Sequence, residues 1–521
     1  TAVDRQSTKE MEHEVGSNCV ATSGSLLRFA RSTMASASSS KVKLDQTHFD
    51  VLLVGTDLPT SILSAALARA GKSVLHIDQN DYYGGVWAGL TLRQLVQWCE
   101  KSRAPGGGGE STTGKETETE DISFAFPYFE NDTQSDQRKA PPELPQILSK
   151  LDRHYSLALT PTLVASTGPS IDALVRSKVA SYSTFRLLEQ TVVFIDTPGQ
   201  GSQLQRVPSS KEDVFKDRSL SLIEKRKLMK FLQSVMGQDS AGESERETAS
   251  STPYDEYLRA SYGLSDKLIT ALSYGISLLP HRSSPAPSSS QPARSIPTSL
   301  ALARAKRHLA SIGRYGNAAY LVGQYGGAGE LAQGYCRASA VMGATFMLDV
   351  GIEERLKFVK GEGGDGRKER WEMQVDSVDG KITADWTVFP EQHANDLIDA
   401  ASVKIGRNQA SRDGRRVARG VVILDRAVNF SAGAAAPSSS SSEQPQQQQE
   451  QKPAEVVETA LIIFPPGSCS SQDPDDAATT AVASNRNTQT VQVLMMGEGT
   501  FSCPKGQCEC SPYTRAHIDI C

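Results

Sequence analysis

Residues 51–60 read VLLVGTDLPT, an apolar run that meets Gly55 and then a helix-like segment. Such a turn binds the pyrophosphate of a dinucleotide when it carries the pattern G-x-G-x-x-G and an acidic residue about 20 positions later. Gly55 and the acidic Asp78 keep this frame, but Asp57 and Thr60 occupy the second and third glycine positions. The β-carbon of Asp57 obstructs the approach of a phosphate, and its carboxylate repels it. We therefore interpret the turn as a degenerate nucleotide loop and expect no bound cofactor.

The same carboxylate has a structural use. Asp57 stands where an N-cap residue would precede a helix, and Pro59 falls in the first turn, where proline is tolerated. The sequence thus predicts a dinucleotide-type fold that has lost nucleotide binding. A flavoprotein that tolerates these substitutions is the alternative interpretation.

Two other motifs suggest chemistry that their spacing does not support. GESTTGK at 109–115 is close to a phosphate-binding loop, but Glu116 stands where Ser or Thr would bind magnesium, and no strand precedes it. CPKGQCEC at 503–510, together with Cys469 or Cys521, offers one C-x₄-C unit, whereas zinc sites usually show such units in pairs. We therefore expect no metal site and no catalytic residues.

The elements that position the turn follow from hydrophobic patterning. Apolar runs at 49–55 and 73–78 predict buried parallel strands around a helix over about 58–70. Apolar residues at helical spacing predict a helix over 221–236 and two more over 254–279. Further strand-like runs occur at 191–196, 420–425, 458–465 and 490–496. The outline is an α/β domain that a helical domain interrupts.

Three low-complexity segments cannot bury enough apolar surface to offset chain ordering and are interpreted as insertions. The predicted organisation divides the chain into four parts. These are a disordered N-terminal extension at 1–47, the first part of domain I at 48–205 with an insertion at 104–121, a helical domain II at 206–310 with a flexible insertion at 283–295, and the second part of domain I at 311–521 with an insertion at 431–455.

Composition limits the function classes. The net charge of −5 and the pI near 6.0 argue against general nucleic-acid binding, which needs a basic face. Eight cysteines in 521 residues, half of them after residue 500, do not form a disulfide framework and favour a reducing compartment. No apolar run reaches the roughly 18 residues of a membrane span. We expect a cytosolic protein.

Several long stretches resemble the superfamily of Rab GDP-dissociation inhibitors and Rab escort proteins. The first joins FDVLLVGTDLPTSILSAALARAGKSVLHID to DQNDYYGGVWAGLTLRQLVQW, and the most diagnostic is GRYGNAAYLVGQYGGAGELAQGYCRASAVMGATFML at 313–348. Similar segments follow the family's order at 159–195, 207–232 and 419–427. The resemblance implies an α/β, GDI-like two-domain fold. In it, an FAD/NAD(P)-binding-type domain I uses no flavin and carries an inserted, mainly helical domain II.

Two residues favour the escort branch of this superfamily. Trp87 follows the double glycine of YYGGVWA, and Cys336 precedes Arg337 in GYCRASAV. The resemblance then implies a non-catalytic accessory component of Rab geranylgeranyl transferase, active in protein prenylation and vesicle-mediated transport. Its partners would be GDP-bound Rab GTPases, the transferase heterodimer, the geranylgeranyl lipid of Rab and, transiently, membranes. A Rab GDP-dissociation inhibitor and an FAD-dependent amine oxidase-like enzyme remain the alternatives.

The resemblance also implies a Rab-binding platform on domain I, formed by Tyr83, Glu330, Arg337 and Met347. Glu330 and Arg337 lie seven residues apart, which is two helical turns, so a helix through both places them on one face. Met347 is equally well interpreted as a core methionine. Arg314 and Tyr315, in the loop GRYGN, match the family's mobile loop. The geranylgeranyl group would lie between the helices of 206–310.

The chain end carries one further expectation. CECSPYTRAHIDIC departs from the family's strand at this place, which suggests a mispredicted exon or a truncation.

Overall fold

The computed structural model describes residues 43–103, 122, 126, 144–197, 201–208, 211–217, 220–237, 252–281, 296–350, 356–359, 370–375, 378–390, 416–426, 428, 430, 457–469 and 487–516. The N-terminal extension up to residue 42, Cys521 and the three predicted insertions lie outside these residues.

A six-stranded sheet carries the degenerate loop. Its order is β10-β2-β1-β13-β12-β11, and the pairs among β10, β2, β1 and β13 are parallel. The strands, in chain order, are β1 (His48–Val54), β2 (Val74–Ile77), β10 (Thr345–Met347), β11 (Leu356–Val359), β12 (Arg370–Gln374) and β13 (Lys381–Val388). The predicted strands at 49–55 and 73–78 are thereby confirmed, whereas the sequence interpretation missed β11 to β13.

A second, seven-stranded sheet has the order β14-β18-β17-β16-β7-β8, with β15 paired to β18. Only β16 and β7 are parallel neighbours. These strands are β7 (Gln190–Thr197), β8 (Gly201–Arg206), β14 (Arg416–Arg419), β15 (Val422–Leu424), β16 (Thr459–Phe464), β17 (Val491–Met496) and β18 (Cys508–Ala516). The four strand-like runs predicted between 191 and 496 all lie in this sheet.

Two small antiparallel sheets complete the strands that the structure describes. One pairs β3 with β4, and the other has the order β5-β9-β6. Their strands are β3 (Gly89–Leu90), β4 (Leu157–Ala158), β5 (Leu163–Ala165), β6 (Phe185–Leu187) and β9 (Tyr320–Gly323).

Ten helices accompany the strands in the described part of the chain. They are α1 (Leu58–Arg69), α2 (Leu92–Arg103), α3 (Gln146–Leu151), α4 (Pro169–Arg176), α5 (Lys211–Lys216), α6 (Leu222–Gly237), α7 (Tyr254–Tyr262), α8 (Asp266–Thr270, continued by a π-helical turn at Ala271–Ile276), α9 (Thr298–Ser311) and α10 (Ala328–Val341). None of them is long and apolar enough to cross a bilayer.

Helices α5 to α9 follow one another in sequence and share one hydrophobic core. Phe231, Leu258, Leu272 and Leu302 are buried in it, together with Leu461 of the seven-stranded sheet. The helical segment therefore packs on that sheet rather than standing alone. The helices predicted at 58–70 and 221–236 are confirmed, while 254–279 holds two α-helices and the π-helical turn. The division into domains I and II stays a prediction.

Candidate functional site

The degenerate loop joins β1 to α1 at the carboxyl end of the parallel strands, where open α/β sheets bind their ligands. Asp57 is the N-cap of α1: its side chain accepts a hydrogen bond from the Thr60 backbone N–H at 2.9 Å. The cap predicted from the sequence is confirmed. The carboxylate thus occupies the helix N-terminus that a pyrophosphate would otherwise use.

Asp78, the acid of the nucleotide frame, is also committed to the protein. One of its carboxylate oxygens accepts hydrogen bonds from the Thr56 backbone N–H and hydroxyl, each at 2.6 Å. The other accepts from the Asn80 backbone N–H at 2.8 Å. The Asn80 side-chain amide donates to that same oxygen at 3.0 Å, and Asp78 is fully buried, so no acceptor remains for the ribose of a nucleotide.

The segment after the double glycine packs against the first turn of α10. A β-carbon on Gly329, in the first turn of α10, would lie 2.6 Å from the Gly89 nitrogen and 2.9 Å from the Trp87 carbonyl oxygen. Gly84 donates to the Thr56 hydroxyl at 3.0 Å, which draws the same segment onto the loop of α1. Asp57 and the segment held by Thr56 therefore lie at the N-terminus of α1, where the pyrophosphate of a dinucleotide would bind, and the residues present do not fit FAD.

Removing the cap should measure its structural role. We expect Asp57→Ala to lower the free energy of unfolding by about 1 kcal/mol, because the Thr60 N–H loses its acceptor. Asp57→Asn keeps an oxygen acceptor and serves as the matched control, with a smaller loss. Urea unfolding monitored by circular dichroism provides the measurement. Equal losses in both variants would show that charge, rather than capping, stabilises this helix end.

Helices α1 and α10 pack closely through small polar side chains. The Ser61 hydroxyl lies 3.2 Å from the Cys336 sulfur, and the Ser64 and Ser339 hydroxyls are 2.7 Å apart. Burial raises the pKa of the Cys336 thiol to about 12, so the group is neutral. Cys336 is therefore a packing residue of this interface, not an exposed contact.

The opposite face of α10 carries the two predicted charged platform residues. Arg337 is exposed, whereas Glu330, in the first turn of the helix, is half-buried. Burial raises the pKa of the Glu330 carboxyl. No side chain caps α10, since its N-cap is Gly327, so Glu330 does not serve as the cap. The helix thus places a carboxyl and a guanidinium on one face, two turns apart.

Tyr83 and Met347 lie on opposite faces of the six-stranded sheet. The Tyr83 ring meets Phe346 edge-on at 6.0 Å between centroids, and Phe346 in turn lies 5.0 Å from His76. Met347 points to the other face, where it packs against a buried cluster that includes Ile77. Tyr83 therefore lies on the same side of the sheet as α10, whereas Met347 packs into the core on the other side. Phe346 is a neighbour that sequence reasoning missed, because only pairing with β2 sets its face.

The predicted mobile loop is held by several bonds. Gly313 and Gly316 have positive φ and close the loop through a 2.9 Å backbone hydrogen bond. The Arg314 guanidinium donates to the Asp172 carboxylate at 3.2 Å and lies 5.4 Å from the centre of the Tyr315 ring. Tyr315 remains exposed. Motion of this loop stays a prediction.

The cysteines of CPKGQCEC lie in or beside strand β18. Cys503, Cys508 and Cys510 are buried and carry free thiols. Over the residues that the structure describes, no group of three or more His, Cys, Asp or Glu side chains is arranged as metal ligands.

Comparisons with known proteins point to one family. A family model described as GDP dissociation inhibitor matches residues 44–118 and 134–402. A Rab proteins geranylgeranyltransferase component A from Candida albicans is 33% identical over 58% of this chain and 41% of its own length. The Drosophila melanogaster protein of the same name is 31% identical over 59% of this chain and 54% of its own. The matches therefore span about half the length of these relatives.

A Rab GDP-dissociation inhibitor from Saccharomyces cerevisiae is 26% identical over 73% of this chain and 69% of its own length. Among solved structures, the Rab GDI from Plasmodium falciparum has a TM-score of 0.53 at 18% identity, covering 91% of this chain and 84% of that one. The predicted GDI-like α/β fold is thereby confirmed.

Proposed function

The chain belongs to the GDP dissociation inhibitor family, and we propose that it acts within that family as a Rab escort protein. In this role it binds a newly made Rab GTPase in the GDP form and presents it to Rab geranylgeranyl transferase. It then shields the attached lipid until the Rab reaches a membrane. The protein is an accessory component and performs no chemistry itself. The names of its component A relatives support this choice.

The observation that carries the proposal is the outward face of α10. Glu330 and Arg337 present an acceptor and a planar set of donors on one rigid helix, and Tyr83 lies on the same side of the sheet. The mobile switch loops of a GDP-bound GTPase offer backbone and side-chain groups that such charged hydrogen bonds can hold. A rigid platform loses little entropy when it binds.

The helical layer supports the two other partners of an escort protein. The buried cluster shared by α6 to α9 offers apolar helix faces between which a geranylgeranyl chain could lie, at about 0.8 kcal/mol for each buried methylene. Phe215, Leu222 and Ile223, near the start of the same layer, are 66%, 77% and 67% exposed. The Lys225 ammonium donates to the Phe215 carbonyl oxygen at 2.9 Å, which brings Phe215 near the start of α6. A contiguous exposed apolar patch is typical of a protein contact. We propose that the transferase docks there.

The alternative within the family is a Rab GDP-dissociation inhibitor, which the Saccharomyces cerevisiae relative favours. An inhibitor needs the lipid already on its client, whereas an escort must hold an unprenylated Rab through protein contacts alone. Only the escort must also leave a surface free for the transferase.

A prenylation assay separates the two. Bare Rab·GDP, geranylgeranyl pyrophosphate and the transferase heterodimer are mixed with and without the protein. We expect lipid transfer to depend on the protein, and a ternary complex to survive gel filtration. Phe215→Ser should still bind Rab·GDP but form less ternary complex. Background transfer, combined with extraction of prenylated Rab from membranes, would favour the inhibitor.

A further inference from the structure

Tyr182 lies beside the proposed platform, although the sequence alone did not assign it to the platform. It ends a short 3-10 turn, Val179–Tyr182, that follows α4. Its ring lies under the Arg337 guanidinium, with the guanidinium carbon 4.8 Å from the ring centre. That separation is within the range of a cation–π contact. Two residues 155 positions apart therefore form one surface unit.

The turn is held against α10 by close packing. A β-carbon on Gly334 would lie 2.8 Å from a Val179 methyl carbon and 3.7 Å from the Tyr182 β-carbon. Val179 is fully buried and anchors the turn. Arg337 follows Gly334 by one helical turn, so the glycine sets the distance at which Tyr182 meets the guanidinium. The backbone thus fixes the point beside α10 from which the Tyr182 side chain extends.

The contact leaves the hydrogen-bonding groups of Arg337 available. Guanidinium N–H groups lie in the plane of the group, so a ring over one face uses none of them. Among the described residues, no carboxylate is paired with Arg337. Tyr182 is itself 39% exposed. The ring therefore restricts the motion of an otherwise free cation and keeps its donors directed outward.

We propose that Tyr182 is a positioning residue of the client-binding platform, and that it orients Arg337 for paired hydrogen bonds with a carboxylate on the GTPase. This inference rests on the proposed function. Arginine binds a carboxylate best through two parallel N–H bonds, which need a fixed guanidinium plane. An aromatic ring beneath the group supplies that plane and lowers the entropy lost on binding.

A double-mutant cycle tests the inference. Binding of bare Rab·GDP is measured for the wild type, Tyr182→Ala, Arg337→Ala and the double variant, with Tyr182→Phe as matched control. We expect Tyr182→Ala to weaken binding about threefold to tenfold, because a free arginine side chain must then be ordered on binding, which costs about that factor. Tyr182→Phe keeps the ring and should bind like wild type. In the Arg337→Ala background, removal of the ring should have almost no further effect.

The outcomes are distinguishable. Unchanged binding by Tyr182→Ala, or an equal loss with and without Arg337, overturns the positioning role while the escort function stands. Failure of the wild type to bind any Rab·GDP overturns the proposed function itself. Thermal unfolding of each variant should match the wild type, because the Tyr182 side chain is exposed. A large drop in stability together with the loss in Tyr182→Ala would show a structural role instead.

Discussion

Glu509→Gln is expected to gain about 3 kcal/mol of unfolding free energy over the wild type as the pH rises from 4.5 to about 8. Glu509 lies in β18 and is fully buried. The Ser511 hydroxyl donates to one of its carboxyl oxygens at 2.7 Å, and the other oxygen has no hydrogen-bond partner among the described residues. Burial raises the pKa of this carboxyl from 4.5 to about 7.

The sign of the effect follows from proton binding. A raised pKa means that the folded protein holds a proton that the unfolded chain has already released. Stability is therefore complete below pH 4.5, falls as the pH rises towards 7, and stays low above it. Glutamine carries the same shape without a charge, so the variant should lack this fall and be the more stable protein at alkaline pH.

Urea unfolding at several pH values tests this expectation. The wild type should lose stability relative to Glu509→Gln as the pH rises, and the two should differ little near pH 4.5. Glu498→Gln, an exposed glutamate close in sequence, is the matched control and should follow the wild type. Parallel curves for wild type and Glu509→Gln would contradict the argument.

Arg337→Ala and Glu330→Ala are each expected to weaken Rab·GDP binding by about 1 to 3 kcal/mol, or about fivefold to 150-fold in Kd. Arg337 offers several donors in one plane, and Arg337→Lys should recover only part of the loss, because an ammonium group cannot form two parallel bonds. Glu330 is half-buried at the helix start, so a donor from the client would stabilise its charged form.

Calorimetry with bare Rab·GDP measures both changes. Lys150→Ala removes an exposed cation of α3 and is the control for net charge, with binding close to wild type. The platform variants should fold normally, since neither side chain forms part of a hydrophobic core. Wild-type affinity in both Glu330→Ala and Arg337→Ala would show that the platform lies elsewhere.

Local sequence was sufficient for the first β-α-β unit. The strands and helix around Gly55, the cap at Asp57 and the degeneracy of the loop depend on residues that are neighbours along the chain. Capping and hydrophobic periodicity act over a few positions, so the pattern specifies them directly. The same holds for α6, whose buried Leu228, Leu232 and Val235 recur at helical spacing.

Strand β13 shows where local patterning failed. KITADWTV mixes charged, small and aromatic residues, and its Trp386 is 72% exposed, so no apolar run marks it. It becomes central because it pairs in parallel with β1, more than 300 residues earlier. Parallel pairing between distant segments depends on the sheet as a whole, which a window of sequence does not contain.

The environments of the functional groups were decided by tertiary structure alone. Sequence named Glu330, Arg337 and Met347, but only packing makes Glu330 half-buried, directs Met347 to a core and places Tyr182 under Arg337. The residue types determined what chemistry was available, through charge, size and hydrogen-bonding groups. Burial and orientation depend on side chains that arrive from distant segments, so the fold decided which groups reach the surface and in which geometry.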